Sequence, residues 1–126
     1  MASGNDRGVR LTATSLRDTA GIAAAIATRA RVGDVILLQG EMGAGKTAFV
    51  QGFAAALGEL LESGVLLVEW GEVASAEFPD HLEIELAPTP EDEDARRIVL
   101  RPAGGRWALR WSAVLDAVAP WREASC

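Results

Sequence analysis

Apolar and polar positions along the chain follow two different periods, and the changes of period mark the elements. Leu16, Ala20, Ala23, Ile26, Ala27 and Ala30 recur every three to four residues, which predicts a helix from about Leu16 to Ala30. Thr14 or Ser15 can cap it, with Asp18 as the capping-box partner three residues after Ser15. A turn over Arg31 to Asp34 leads into Val35-Ile-Leu-Leu-Gln39, a β-branched apolar run suited to a strand buried on both faces. Three glycines fall between Gly40 and Gly45, after which Lys46 to Leu57 is helix-compatible and closes at Gly58. A second apolar run, Val65 to Val68, ends in Glu69-Trp70-Gly71, and the helix between the two runs predicts a parallel crossover. His81 to Leu86 alternates strictly, with Leu82, Ile84 and Leu86 on one face and Glu83 and Glu85 on the other. Arg96 to Arg101 alternates again, so the stretch from Pro88 to Asp94 reads as a hairpin loop whose four successive acids face solvent. Trp107, Trp111, Val114, Leu115 and Val118 fit one helix face that stops before Pro120, while Met1 to Arg10 reads as a flexible polar lead-in.

Composition narrows the class. A chain of 126 residues holds one compact domain. Its 49% hydrophobic and 24% charged residues are ordinary globular values, but 23 residues are alanine, which buries little surface each. A formal charge of −6 and a pI near 4.7 argue against a protein that grips nucleic acid unaided. The single cysteine, Cys126, cannot form an internal disulfide and points to a reducing compartment. The longest apolar run, Ala20 to Ala27, is far short of the ~18 residues of a membrane span, so a cytoplasmic protein without a membrane role is expected. Eleven of the twelve basic residues are arginine, and the lone lysine is Lys46.

That lysine sits in the one stretch with explicit chemistry. Gly40-Glu-Met-Gly-Ala-Gly-Lys-Thr47 matches G-x-x-x-x-G-K-[ST] in full, with an apolar strand before it and a helix after it. Glycines 40, 43 and 45 let the backbone curl so that the amides from Glu41, Met42, Gly43, Ala44 and Gly45 onward turn inward as an anion nest at a helix start. Lys46 can then reach the β- and γ-phosphates of ATP, and the Thr47 hydroxyl can ligate Mg²⁺. No aspartate occurs between Asp34 and Asp80, so the second strand offers Glu69 at its carboxyl end as the metal's carboxylate. The fold expected is α/β: a P-loop NTPase-like three-layer core with a mainly parallel sheet, plus a C-terminal β-hairpin and helix.

These residues resemble a known family. The P-loop with its continuation Phe49-Val-Gln-Gly52, the later Leu66-Leu-Val-Glu-Trp-Gly-Glu72 and an arginine-bearing late strand look like TsaE, a small P-loop ATPase of bacterial tRNA threonylcarbamoyladenosine biosynthesis. The resemblance runs from about Thr14 to Val118. It implies slow ATP hydrolysis in support of TsaD, which transfers the threonylcarbamoyl group, and of TsaB, with the tRNA held through those partners. It also implies that Thr47 and Glu69 ligate the metal, that Lys46 and Glu69 carry the chemistry, that Arg97 contacts the nucleotide and that Leu16 lies by the base.

One departure is large. Family members carry several tens of residues between the P-loop helix and the Glu-Trp strand, with a Ser-Pro-Thr-Phe-like switch and an aspartate in a His-x-Asp-x-Tyr-Arg-like motif. Here Leu57-Gly58 runs straight into Glu59-Leu-Leu-Glu-Ser-Gly64, and the chain has no tyrosine and no Ser-Pro pair. Phosphate binding is therefore expected to survive better than turnover, because the nest is local while hydrolysis draws on other segments. The alternatives are a non-catalytic nucleotide-binding module and a small-molecule kinase; the latter needs an arginine-rich lid, and Gly58 to Gly64 has no arginine.

Overall fold

In the computed structural model, residues 8–40, 45–57, 64–69, 78–90 and 92–123 are described. Strand β1 (Val9–Ala13) leads to helix α1 (Leu16–Ala27), β2 (Val35–Gly40), α2 (Lys46–Leu57) and β3 (Leu66–Glu69). The hairpin β4 (His81–Pro88) and β5 (Arg96–Ala103) follows, then α3 (Gly105–Leu109), α4 (Trp111–Val118) and a 3₁₀ turn (Ala119–Trp121). The five strands form one sheet in the order β1-β5-β4-β2-β3. β2 runs parallel to both β3 and β4, whereas β4–β5 and β5–β1 are antiparallel, so the sheet is mixed.

Two boundaries differ from the sequence reading. The sheet already begins at Val9, inside the lead-in read as flexible: Val9, Leu11 and Ala13 are buried and pair with β5, which a short edge strand needs in order to form at all. α1 stops at Ala27, one turn short of Ala30. Beyond it the chain tightens, with Arg29 N–H donating to Ile26 and Ala30 N–H to Ala27, before the turn at Gly33. At the other end the capping is as expected. Ser15 Oγ accepts from the Asp18 amide, and the Asp18 carboxylate accepts from the Thr14 amide and hydroxyl, bonds that hold the Asp18 carboxyl below the ordinary carboxylate range.

One face of the sheet carries the core. Leu11, Ile98 and Leu86 share a row, as do Val9, Leu100, Ile84 and Leu38, and all pack with Ile22 and Ile26 of α1 and Phe49, Phe53 and Leu57 of α2. The two helices touch closely because Gly52 of α2 has no side chain. A Cβ there would lie 2.6 Å from the Ala20 carbonyl oxygen of α1. The described helices thus supply one layer over the sheet, and the opposite face of β1, β5 and β4 shows Arg10, Thr12, Val99, Glu83 and Glu85.

The C-terminal helix expected around the tryptophans is broken at Arg110 (φ −108°) into α3 and α4. Arg110 is needed elsewhere. Its guanidinium stacks 4.3 Å from the Trp107 ring and bonds Asp34 through Nη1 (2.9 Å) and Nη2 (2.6 Å), while Arg106 adds an Nε bond of 3.1 Å. Asp34 is wholly buried just before β2. Burial pushes its carboxyl up, but the bonds from Arg110, the Arg31 amide and Arg106 outweigh this and hold it below the ordinary value.

Candidate functional site

The loop after β2 leaves the sheet where β2 is flanked by parallel partners on both sides. Leu38 is in register with Glu69 of β3 and Ile84 of β4, and Gly40 with Leu86. Carboxyl ends of parallel strands are where open α/β sheets hold ligands. Glu41, Met42, Gly43 and Ala44 lie outside the described residues. The chain is described again at Gly45, whose φ of 96° is the left-handed conformation that only glycine adopts readily. That conformation turns the backbone directly into α2: the first bond of the helix runs from the Phe49 amide to the Gly45 carbonyl at 3.1 Å. The amides of Lys46, Thr47 and Ala48 consequently belong to the first turn of that helix, whose N–H groups point out of its start. No acidic residue occupies that turn, where the helix dipole places partial positive charge.

The candidate residues sit on three elements, α1, α2 and β3. Lys46 is half-buried and Thr47 is exposed. Glu69 ends β3 at the register position of Leu38, two residues before Gly40, which brings its backbone to the loop's end of the sheet. Leu16 is the first residue of α1 and is 44% exposed.

The arginine at the loop is Arg96 and not Arg97. Arg96 shares the core-side row with Ala13 and Pro88, is buried, and donates from Nη1 to the Glu93 carbonyl at 2.5 Å and the Ala95 carbonyl at 2.8 Å. Those bonds to the end of the hairpin loop fix its direction, and its Nε comes within 3.0 Å of where a Gly45 Cβ would sit. A methyl group at Gly45 would therefore collide with a guanidinium, besides demanding a strained backbone. Arg97, one residue on, pairs with Thr12 and Ala87 on the opposite face and is exposed. The alternation of β5 contained this information. Ile98 and Leu100 face the core and α2, so Arg96 has their parity and Arg97 does not.

Among the described residues no group of three His, Cys, Asp or Glu side chains could hold a metal ion by itself. No helix among them is long and apolar enough to cross a membrane.

Comparison with known proteins places this geometry. A family model described as threonylcarbamoyl adenosine biosynthesis protein TsaE matches residues 13–59, the stretch from the end of β1 past α2. The tRNA threonylcarbamoyladenosine biosynthesis protein TsaE of Bacillus subtilis (strain 168) is 51% identical over 41 residues. That match takes in 32% of this chain and only 26% of the relative, so the chain aligns with about a quarter of the relative's length. The fold agrees over a much longer span. The crystal structure of Bacillus subtilis YdiB superimposes with a TM-score of 0.76 at 25% identity, covering 86% of this chain and 95% of that one. The chain is thus similar to TsaE proteins in sequence over the segment from β1 to α2, and similar to YdiB in its five-stranded α/β architecture.

Proposed function

We propose that this protein binds ATP with Mg²⁺ at the helix start of α2 and serves tRNA threonylcarbamoyladenosine formation beside TsaD- and TsaB-like partners, which hold the tRNA. The observation that carries the nucleotide reading is the coincidence of three features at one place. A left-handed Gly45 aims a helix N-terminus free of acids, Lys46 stands on its first turn, and the buried Arg96 guanidinium lies against the same glycine. The residues fit a polyphosphate with its metal. Gly45, Lys46 and Thr47 would hold phosphate oxygens, Arg96 would add a second cation, and Thr47 and Glu69 would be the metal's protein ligands. A bound Mg²⁺ would neutralise phosphate charge, and the chain's own part would be to orient the phosphates and exclude water from the buried side.

A second reading, binding without turnover, has its own support. α2 ends at Leu57 and β3 starts at Leu66, so the connection is residues 58–65, too short for the strand and switch segment that the family carries there. The two readings separate cleanly by experiment. Calorimetric titration with ATP and Mg²⁺ should show saturable binding that Lys46→Ala weakens at least about tenfold, the loss of one charge-assisted hydrogen bond or more. Phosphate release above background, with restored tRNA modification in cells lacking their own protein, supports the ATPase; binding with no release supports the silent module. Unchanged affinity in Lys46→Ala rejects both.

A further inference from the structure

A groove carrying three arginines lies on the other side of the sheet. Along β1, β5 and β4, a groove of ≈ 480 Å³ is lined by Arg10, Arg97, Arg101, Val99, Ala87 and Glu85, with Glu123 at one end. The registers fix its layout. Arg10 stands opposite Val99, and Arg97 and Arg101 lie two residues to either side of Val99 on β5, so both are diagonal neighbours of Arg10 at roughly 7–8 Å. Three guanidinium-bearing residues therefore surround one small apolar side chain on a sheet that holds them in place.

Their charges are not equally satisfied. Arg101 bonds Glu85 at 3.3 Å and lies 4.0 Å from Glu83. Arg10 and Arg97 are exposed, and neither guanidinium has a hydrogen bond or ion pair with any described residue. In a chain of net charge −6, two adjacent guanidiniums without acceptors among the described residues are uncommon, and they stand beside the ion-paired Arg101. Glu123 is itself fixed at the groove's end, its amide donating to the Arg10 carbonyl at 3.0 Å and its carboxylate accepting from Thr12 Oγ1 at 3.0 Å.

We propose that this groove is an anion site distinct from the glycine loop, taking one phosphate group over Val99 between Arg10 and Arg97, with Arg101 as the third cation. The planar fork of arginine matches phosphate oxygens two at a time, and a floor of strand backbone costs little reorganisation. The flanking carboxylates decide the size of the ligand. Glu85 and Glu123 would repel the neighbouring phosphates of a continuous nucleic-acid backbone, so the site suits a single phosphate, free or carried by a small hydroxylated molecule whose hydroxyls donate to those carboxylates. A volume of ≈ 480 Å³ is that of a small-molecule site.

Amide chemical shifts can distinguish this groove from the nucleotide loop in a single sample. Ribose 5-phosphate and inorganic phosphate are each titrated into the Lys46→Ala protein, which has lost the loop's own phosphate lysine. The proposal expects saturable shifts at Arg10, Ala87 and Val99, and a loss of at least about tenfold in affinity in Arg10→Gln and again in Arg97→Gln, since each removes a charge-assisted hydrogen bond. Both substitutions lie on an exposed face, so unchanged melting temperatures confirm intact folding. Tighter binding of ribose 5-phosphate assigns the site to phosphomonoesters, and equal affinity assigns it to free phosphate. Absence of saturation by about 10 mM, or affinity indifferent to both arginines, overturns the proposal and leaves the groove an ordinary charged surface. Failure of ATP to bind the unsubstituted protein bears on the loop alone.

Discussion

Replacing Asp34 by asparagine tests how the C-terminal helices are fastened to the sheet. The side chain keeps its size but loses its charge, and one of two acceptor oxygens becomes a donor facing guanidinium N–H groups. Asp34 is fully buried and Arg110 only 11% exposed, whereas Arg106 is 43% exposed, so solvent screens the Arg106 pair and the cost falls mainly on Arg110. Breaking one partner of a buried pair costs about 3–5 kcal/mol. The low end applies, because Arg110 keeps its 2.6 Å bond to the Arg29 carbonyl and its place on Trp107. A loss of about 3 kcal/mol corresponds to a melting temperature lower by roughly 10–15 °C for a domain of this size. The pH dependence gives a sharper signature. The folded-state carboxyl lies below its ordinary value of 3.8, so its contribution is complete above that value and is lost as pH falls through the folded pKa. Urea denaturation followed by tryptophan fluorescence should show a full gap between the two proteins at about pH 7 and a narrowing one below about pH 4. A neutral-pH gap under about 1 kcal/mol, or one that widens in acid, refutes the account.

Further outcomes follow from other contacts. Gly52→Ala should cost about 1–3 kcal/mol or more in urea denaturation, because its methyl meets Ala20 backbone that cannot swing aside; a neutral result means α1 and α2 can part freely. Arg96→Gln should weaken ATP binding at least about tenfold while Arg97→Gln leaves it unchanged, and the reverse order would restore Arg97 to the nucleotide. Ser15→Ala should lower stability by about 1 kcal/mol through loss of the α1 cap, measurable by thermal melting.

Local pattern carried much of the architecture. α2 spans the predicted residues Lys46 to Leu57, because the glycine before it and Gly58 after it are punctuation any chain must obey. β4 and β5 were legible from strict alternation, although both run two residues further than the pattern showed. β1 was not read, since five residues beside a polar tail carry too little signal; its apolar positions make sense only against Ile98 and Leu100, nearly ninety residues away. The same distance hid the Asp34 cluster, whose partners lie 72 and 76 positions along. At the candidate site, the positions of Lys46 at the start of α2 and of Glu69 at the end of β3 were legible in sequence. Arg97 was expected at the nucleotide, whereas Arg96 lies against Gly45; the parity of Arg96 with Ile98 and Leu100 was legible, but which face of the sheet α2 covers was not.

The outer rim of β1 has a consequence for how the chain is made. β1 precedes every other described element, but its sheet partner is β5 and its far side is clasped by the Leu11–Arg122 bridge and the Glu123 amide. β1 therefore gains its ladder only with β5, and its outer clasp only with residues 122 and 123, whereas β2, β3, β4 and β5 can pair without either. Nascent chains stalled before β5 should accordingly depend on chaperones to keep Val9, Leu11 and the apolar face of α1 apart from other molecules.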